Sequence, residues 1–419
     1  MTSPDVKVEN FGCRLNALEG DSVQALAQAA GLQNTTIING CAVTGEAMRQ
    51  ARQAARKAKR ANPDATVIVT GCAAQTDAEQ FIAIPEVDRV IGNEEKLRAE
   101  SYQTQTTPAH SVSDIMALAQ ATPLPPTPQS ARSRAFVQVQ TGCDHRCTFC
   151  IIPFGRGNSR SVPIDDVVAR CQLLVEQGHK EIVLTGVDVT SYGPDIGEAG
   201  LGALVRAILD QVPQLPRLRL SSIDAVEIDA NLLDMVIAEP RLMPHLHLSL
   251  QAGNNMILKR MKRRHTREEA IAFCAKLKHA RPDIAFGADL IAGFPTETEA
   301  MFENSIQLVE QCELTWLHVF PYSPRHDTPA ARMPQLDGPT IKARAAALRQ
   351  AGDAQRQRWL EAQLGQTLSV LVEKQGETRS EGRSGNFARV QLPSQYRAGE
   401  LVSLRVSGHD GLMLSGDVL

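Results

Sequence analysis

The chain has 419 residues, of which 43% are hydrophobic, 22% charged and 4% aromatic, with a formal net charge of −3. This composition describes a folded protein of roughly two to four domains; it excludes a disordered chain and one coated wholesale in basic charge for nucleic acid, though not a local basic face. No run of about eighteen apolar residues occurs, and the opening MTSPDVKVENFG has no basic segment ahead of an apolar core, so the expectation is a cytoplasmic protein with no membrane partner.

Residues 1–100 alternate β-branched runs with helical stretches. VKVENFG (6–12), TTIING (35–40) and TVIVTG (66–71) read as buried strands, with helices over 16–30 and 44–61 between them. Such alternation predicts an α/β domain with a parallel, doubly wound-like sheet. Residues 101–133 are rich in Pro, Thr, Ser and Gln and read as a semi-rigid linker with a short helix over 114–120; the run Pro-Leu-Pro-Pro at 123–126 cannot continue a helix or a central strand. Residues 134–364 carry a second βα series. Its strands fall at 135–140, 181–187, 217–223, 245–251, 286–294 and 316–323, its helices near 165–178, 200–211, 229–238, 267–280 and 298–312, and a long helix starts at Gly338. Six βα units are too few for a closed eight-stranded barrel and suit a partial (β/α)6 barrel, open on one side to a large substrate. The tail, 365–419, has short alternating strands around Gly- and Ser-rich turns, the pattern of a small antiparallel β-barrel.

The chain has nine cysteines, and in a reducing compartment they point to metal binding or catalysis rather than disulfides. Cys143-Asp-His-Arg-Cys147-Thr-Phe-Cys150 places three thiols within eight residues, just past the first strand of the second series. Zinc sites usually bring two separated pairs, and no partner pair follows. Three close thiolates without a fourth suit a four-iron cluster with one iron left open, which can chelate a ligand. A second triad is scattered in sequence. Gly12-Cys13, Gly40-Cys41 and Gly71-Cys72 each end one of the first three strands, and parallel strands bring their C-terminal ends to one sheet edge, where ligands bind. Cys171, Cys274 and Cys312 lie on apolar-periodic helical stretches and read as core packing.

Cys143-x3-Cys147-x2-Cys150, with Phe149 before the last cysteine, resembles the radical S-adenosylmethionine signature. Together with the upstream Gly-Cys triad and the barrel-like tail, the full chain resembles the methylthiotransferase family. The resemblance implies two 4Fe-4S clusters, one on Cys13, Cys41 and Cys72 and one on Cys143, Cys147 and Cys150. It implies two equivalents of S-adenosylmethionine, one as radical source and one as methyl donor. The tail would be an RNA-binding TRAM domain, and Cys143, Cys147 and Cys150 would carry the catalytic radical chemistry. Gly12-Cys13-Arg14-Leu15-Asn16 is similar to the form found in enzymes acting on N6-threonylcarbamoyladenosine at position 37 of tRNA. Family members acting on isopentenyladenosine, or on an aspartate of a ribosomal protein, carry other residues there. Implied partners are a tRNA anticodon stem-loop, an electron donor such as a flavodoxin or ferredoxin, and a sulfur source; two clusters meeting over one substrate imply domain closure. A carrier or RNA-binding module without catalysis is the alternative from another class. The chain departs from the family pattern at Gly40 (usually Thr), Asp188 (commonly Asn), His265 (commonly Tyr), and Thr296 and Asp327 (both usually Gly).

Strand-end position singles out cofactor contacts: Gly186 and Asp188 after the second barrel strand, Ser221 and Ser222 at the third, Gln251 at the fourth and Gly293 at the fifth, with Phe149 beside the cysteines. Arg263 could meet a carboxylate or phosphate, or simply solvent. Two acid-free basic runs, 48–60 and 259–267, could track RNA phosphates. In the tail, which has six basic and six acidic residues, the contact candidates by resemblance are Gly382 to Phe387 and Arg389.

Overall fold

The β-branched runs become strands wherever a helix can cover them. The computed structural model describes residues 6–103, 108–125, 127, 129 and 132–419; Pro126 of the proline run lies outside them. Strands β1 (Val6–Asn10), β2 (Thr35–Gly40) and β3 (Thr66–Gly71) pair in parallel and in sequential order, and the sheet continues through β4 (Arg89–Ile91) and β5 (His110–Ser111). Neither β4 nor β5 is visible in the sequence pattern, and β5 falls inside the stretch read as linker. The helix expected over 114–120 is a single 3-10 turn, Ile115–Ala117. Helix α1 (Arg14–Ala29) covers one face of the sheet with Val23 and Ala27 against Ile37 and Ile68. Helix α2 (Gly45–Ala61) covers the other with Met48, Ala51 and Ala55 against Ile38 and Val69. The Thr44 hydroxyl caps α2 by accepting from the Ala47 amide at 3.1 Å. Two short helices, α3 (Cys72–Thr76) and α4 (Ala78–Ile82), follow β3.

The second series forms the partial barrel. Strand β6 (Arg134–Gln138) is followed by a small antiparallel clasp, β7 (Gln140–Thr141) with β8 (Arg160–Ser161), which brackets the second cysteine triad and α5 (Ile152–Arg156). After α6 (Ile164–Glu176) come β9 (Glu181–Thr185), α7 (Leu201–Gln211) and β10 (Arg217–Leu220). The third predicted strand breaks at Ser221 and resumes as β11 (Ser222–Ile223), which changes partner from β9 to β12 (His245–Gln251). Helix α8 (Ala230–Ala238) precedes β12; α9 (Asn255–Met261) and α10 (Arg267–Ala280) separate it from β13 (Ala285–Ala292). Helix α11 (Glu299–Gln311) leads to β14 (Leu314–Pro321). The parallel arc runs β6-β9-β10, then β11-β12-β13-β14, and no pairing among the described residues joins β14 to β6.

Alternate strand residues (Val137, Ile182, Leu218, Leu248, Leu290) pack outward into one core with the helices. The intervening residues, including Arg134, Glu181, Arg219, His247 and Asp289, therefore face the lumen. The N-terminal domain sits across the barrel opening. Helix α1 packs on β6, and the Gly45 amide donates to Ser323 Oγ just past β14 at 3.1 Å.

Helix α12 (Gly338–Glu361) runs along β14 into the closed tail barrel, ordered β15 (Thr367–Lys374), β16 (Arg379–Ser384), β17 (Arg389–Pro393), β19 (Leu414–Val418), β18 (Leu401–His409). Its pairings are antiparallel except for β17 with β19. Its core of Val370, Val390 and Leu404 takes in Trp359 of α12 and Ala285 of β13. Among the described residues no helix is long and apolar enough to cross a membrane.

Candidate active site

The second triad sits in a loop held at both ends. The Cys143 amide donates to Gly157 O at 3.0 Å and the Cys150 amide to Cys147 O at 3.1 Å. Thr148 ties the loop to α9 through its amide to Met261 O (3.1 Å) and its hydroxyl to Arg260 O (2.8 Å). All three thiols are free, and they lie close enough that Cys147 and Cys150 oppose ionisation of Cys143, and Cys147 that of Cys150. Burial pushes the Cys150 thiol up to about 12 and raises Cys143 as well.

Arg263 is buried rather than solvated. Its guanidinium donates to Asp224 at 2.5 Å and Ser249 O at 2.7 Å, and reaches Cys147 Sγ at 3.8 Å. Asp188 lies 3.6 Å from Cys143 Sγ and accepts from Ser191 Oγ at 2.8 Å. Burial works against its charge, but hydrogen bonds from His145, Ser191 and Thr190 outweigh that and hold its carboxyl below the ordinary value.

One organising residue carries no signal in the sequence. Gln140 Oε1 accepts from the Val187 and Asp188 amides at 3.0 and 2.9 Å, and its amide nitrogen donates to Gly142 O at 2.7 Å. It couples the loop after β9 to the cysteine loop. A Cβ on Gly186 would lie 2.8 Å from Gln140 O, so only glycine fits there. A glutamine on the inward-facing end of a strand has no spacing signature by which to find it.

Phe149 packs edge-to-face on Phe294 at 6.4 Å, beside Gly293, whose amide donates to Glu297 at 3.1 Å. Ser221 is buried with its hydroxyl unpaired, Ser222 is half-buried, and Gln251 has a left-handed φ of 67°. These lie at strand ends as expected; among the described residues none of the three hydrogen-bonds to a cysteine of the triad. Where the family pattern has glycine, Thr296 and Asp327 hold φ values of 69° and 62°, the conformation glycine would adopt freely. Gly40 faces Ala73, whose Cβ would lie 2.6 Å from an added Cβ, so a threonine there would collide.

The first triad also converges. Cys13 precedes α1, Cys41 follows β2 and Cys72 opens α3, and Cys41 is buried and pushed up to about 12, first by burial and then by Cys72. Gly12 has a φ of 94°, and its position would place a Cβ 2.7 Å from Cys41 Sγ, so the backbone turns there against the thiol. Asn93 donates to Cys72 Sγ at 3.5 Å and to Gly155 O at 2.7 Å.

Helix α5 joins the two triads. It follows Cys150 directly, and its Gly155 packs on Cys72. Its Arg156 is buried, donates to Glu19 at 2.7 and 2.8 Å and to Asn16 at 2.6 Å, and lies close enough to Cys41 to favour its thiolate. A buried ion pair thus ties the N-terminal domain to the barrel domain. Each triad combines three free thiols with a buried arginine. A cluster ligated by three thiolates carries negative charge, so this donor set fits it electrostatically.

The tail motif is corrected by the structure. Arg383, Ser384, Asn386 and Phe387 turn inward instead of presenting themselves to RNA. The Phe387 ring stacks on His245 at 4.5 Å and is approached by the guanidiniums of Arg383, Arg219, Arg134 and Arg14, at 4.2, 5.0, 5.4 and 5.8 Å from its centroid. The tail hairpin therefore floors the barrel lumen. Arg389 is exposed and pairs with Glu381 at 3.0 Å. Of the basic runs, Arg49 pairs with Glu46 and Lys59 with Asp88, while Arg56, Lys57, Arg60, Lys259 and Lys262 are exposed.

Residues 137–309 match the family described as the radical SAM superfamily, and residues 5–92 match uncharacterized protein family UPF0004. The chain is 48% identical to the threonylcarbamoyladenosine tRNA methylthiotransferase MtaB of Rickettsia prowazekii, over 96% of this chain and 94% of that protein. It is 33% identical to MtaB of Bacillus subtilis, over 96% and 93%. It is 32% identical to the tRNA-2-methylthio-N(6)-dimethylallyladenosine synthase of Cereibacter sphaeroides, over 98% of both. Among solved structures, the radical S-adenosylmethionine methyltransferase TsrM of Kitasatospora setae superposes with a TM-score of 0.55 at 16% identity, covering 78% of this chain and 75% of that one. This last likeness is one of fold.

Proposed function

The chain belongs to the methylthiotransferase family of radical S-adenosylmethionine enzymes, and from that premise we propose that it converts N6-threonylcarbamoyladenosine at position 37 of tRNA to its 2-methylthio derivative. The observation that carries this reading is the pair of thiol triads on either side of α5, locked together through Arg156 and Glu19. A single-cluster carrier would need neither the second triad nor the strand-end glycines.

Cys143, Cys147 and Cys150 would hold a 4Fe-4S cluster supplying one-electron cleavage of S-adenosylmethionine, and Cys13, Cys41 and Cys72 a second one supplying the sulfur. Everything else falls to the chain's own groups. Asp188, ionised and 3.6 Å from Cys143, offers a lone pair to the ammonium of the methionyl moiety. Gly186 leaves room for Gln140, which fixes the loop. Gly293 and Phe149 would contact the cofactor beside the cysteine loop, with Ser221, Ser222 and Gln251 at the neighbouring strand ends. Arg263 and Arg156 favour the thiolate state at one triad each. The reaction takes place in the cytoplasm, with a flavodoxin or ferredoxin as electron donor and a separate sulfur source.

Nucleoside mass spectrometry of tRNA from a deletion strain tests the reading: the 2-methylthio derivative of threonylcarbamoyladenosine should vanish and its precursor accumulate. Loss of methylthio-isopentenyladenosine instead would reassign the substrate. Iron analysis of the anaerobically reconstituted chain should give about eight irons, and about four would remove the second cluster.

A further inference from the structure

Arg14 is the residue after Cys13, yet its side chain leaves the N-terminal domain and enters the barrel floor, 5.8 Å from the Phe387 ring. Four other arginines meet there, and each has a carboxylate. Arg217 and Arg219 share Glu181 at 2.8 Å each, and Arg134 and Arg383 share Glu373 at 2.7 and 3.3 Å. Arg14 has no hydrogen bond or ion pair among the described residues and is half-buried. Two carboxylates serve five guanidiniums, so the floor has an excess of positive charge with one cation unassigned. The neighbouring His245 is buried and offers no negative charge. Such a group is costly unless an anion completes it.

We propose that Arg14 receives the carboxylate of the threonyl group on N6 of the target adenosine, and so selects a carboxylate-bearing substrate over one with an uncharged hydrocarbon substituent. The assignment rests on the functional reading above. C2 and C6 of adenine both flank N1, so a base whose C2 edge meets the Cys13 triad carries its N6 substituent beside that triad, within reach of the residue next to Cys13. Of the six triad cysteines, all among the described residues, only Cys13 is followed by a residue that reaches the lumen floor. A guanidinium meets a carboxylate through two parallel hydrogen bonds. An isopentenyl group would leave the arginine unpaired, and a site built for a polar partner rejects the analogue that lacks it.

The test uses the reconstituted holoenzyme and three anticodon stem-loops identical except at position 37: threonylcarbamoyladenosine, isopentenyladenosine or adenosine. Equilibrium binding is measured for wild type, Arg14→Gln and Arg14→Lys, with thermal unfolding as a folding check. Wild type is expected to prefer the threonylcarbamoyl loop about tenfold over adenosine, a charge-assisted pair's worth. Arg14→Gln should erase that preference, and Arg14→Lys should keep part of it. Retention of the full preference by Arg14→Gln overturns the proposal. So does an equal loss on all three loops, which would make Arg14 a phosphate contact. Loss of S-adenosylmethionine cleavage in the absence of RNA would hand Arg14 to the cofactor's own carboxylate and also overturns it. Product formation on the threonylcarbamoyl loop separates the two levels: normal turnover by Arg14→Gln removes only this assignment, whereas no turnover by wild type removes the functional reading beneath it.

Discussion

Gln140 shows what a single side chain contributes that spacing rules do not register. Its carbonyl oxygen is the shared acceptor for the Val187 and Asp188 amides, and its amide fixes Gly142 at the mouth of the cysteine loop. Gln140→Ala leaves two half-buried amides without their acceptor, at up to about 1–3 kcal/mol each. The expected outcome is weaker S-adenosylmethionine binding with iron content retained, measured by calorimetric titration and iron analysis on the same preparation. Glu19 and Glu181 make a prediction about pH. Burial penalises their charge, but Arg156 with Lys96 in one case, and Arg219 with Arg217 in the other, outweigh it and hold both carboxyls at about 2. A carboxyl depressed in the folded state adds stability that is complete above its unfolded value, near 4.5, and is lost as pH falls toward 2. The melting temperature should therefore drop steeply across that window, and Glu19→Gln should flatten part of the drop. The six triad cysteines are legible because each triad has a pattern, in spacing or in strand ends. Arg156 and Gln140 are not, because a lone polar residue takes its role from what folds against it.

At the scale of elements, α5 has five residues, carries Pro153 in its first turn and reads as loop in the sequence. It nonetheless sets the relation between the two triads. Gly155 lies against Cys72, where an added Cβ would be 3.3 Å from the cysteine's own Cβ. Gly155→Leu should push α3 away from α5 and lower iron incorporation at the first triad while leaving the second. The check is iron content in a Cys143/Cys147/Cys150→Ala background, which isolates the first site. Replacing Arg156 by Met leaves Glu19 buried with Lys96 as its remaining cation, at a cost of about 3–5 kcal/mol, read from urea unfolding. Long periodic helices and β-branched strands are legible almost to the residue. Strands β4 and β5 are not, because three and two residues are too short for a period and gain their place only from the sheet edge beside them.

Across the whole molecule, the tail and the basic runs change meaning together. The motif that resembles an RNA contact is instead the floor of the lumen, stacked on His245 and ringed by arginines, so the tail's charge balance no longer has to account for RNA attraction. The phosphate track must lie among the exposed cations. Helix α2 starts beside Ser323, at the barrel mouth, and runs away from it. Arg56 is eleven residues along, about 16 Å from that start at 1.5 Å per residue. Lys259, in the last turn of α9, and Lys262, just past its end, in contrast sit on the helix whose Arg260 and Met261 carbonyls hold Thr148 within the cysteine loop. A stem-loop delivering one nucleotide between the triads must pass the second pair and need only graze the first. Lys259→Gln with Lys262→Gln should therefore weaken stem-loop binding more than Arg56→Gln with Lys57→Gln. It should also make the binding constant less sensitive to salt, its logarithmic slope shrinking by about 0.7–0.9 for each phosphate left without its lysine. Titrations at several ionic strengths decide it: equal effects from the two pairs would mean that the RNA lies along α2 and enters from the N-terminal domain.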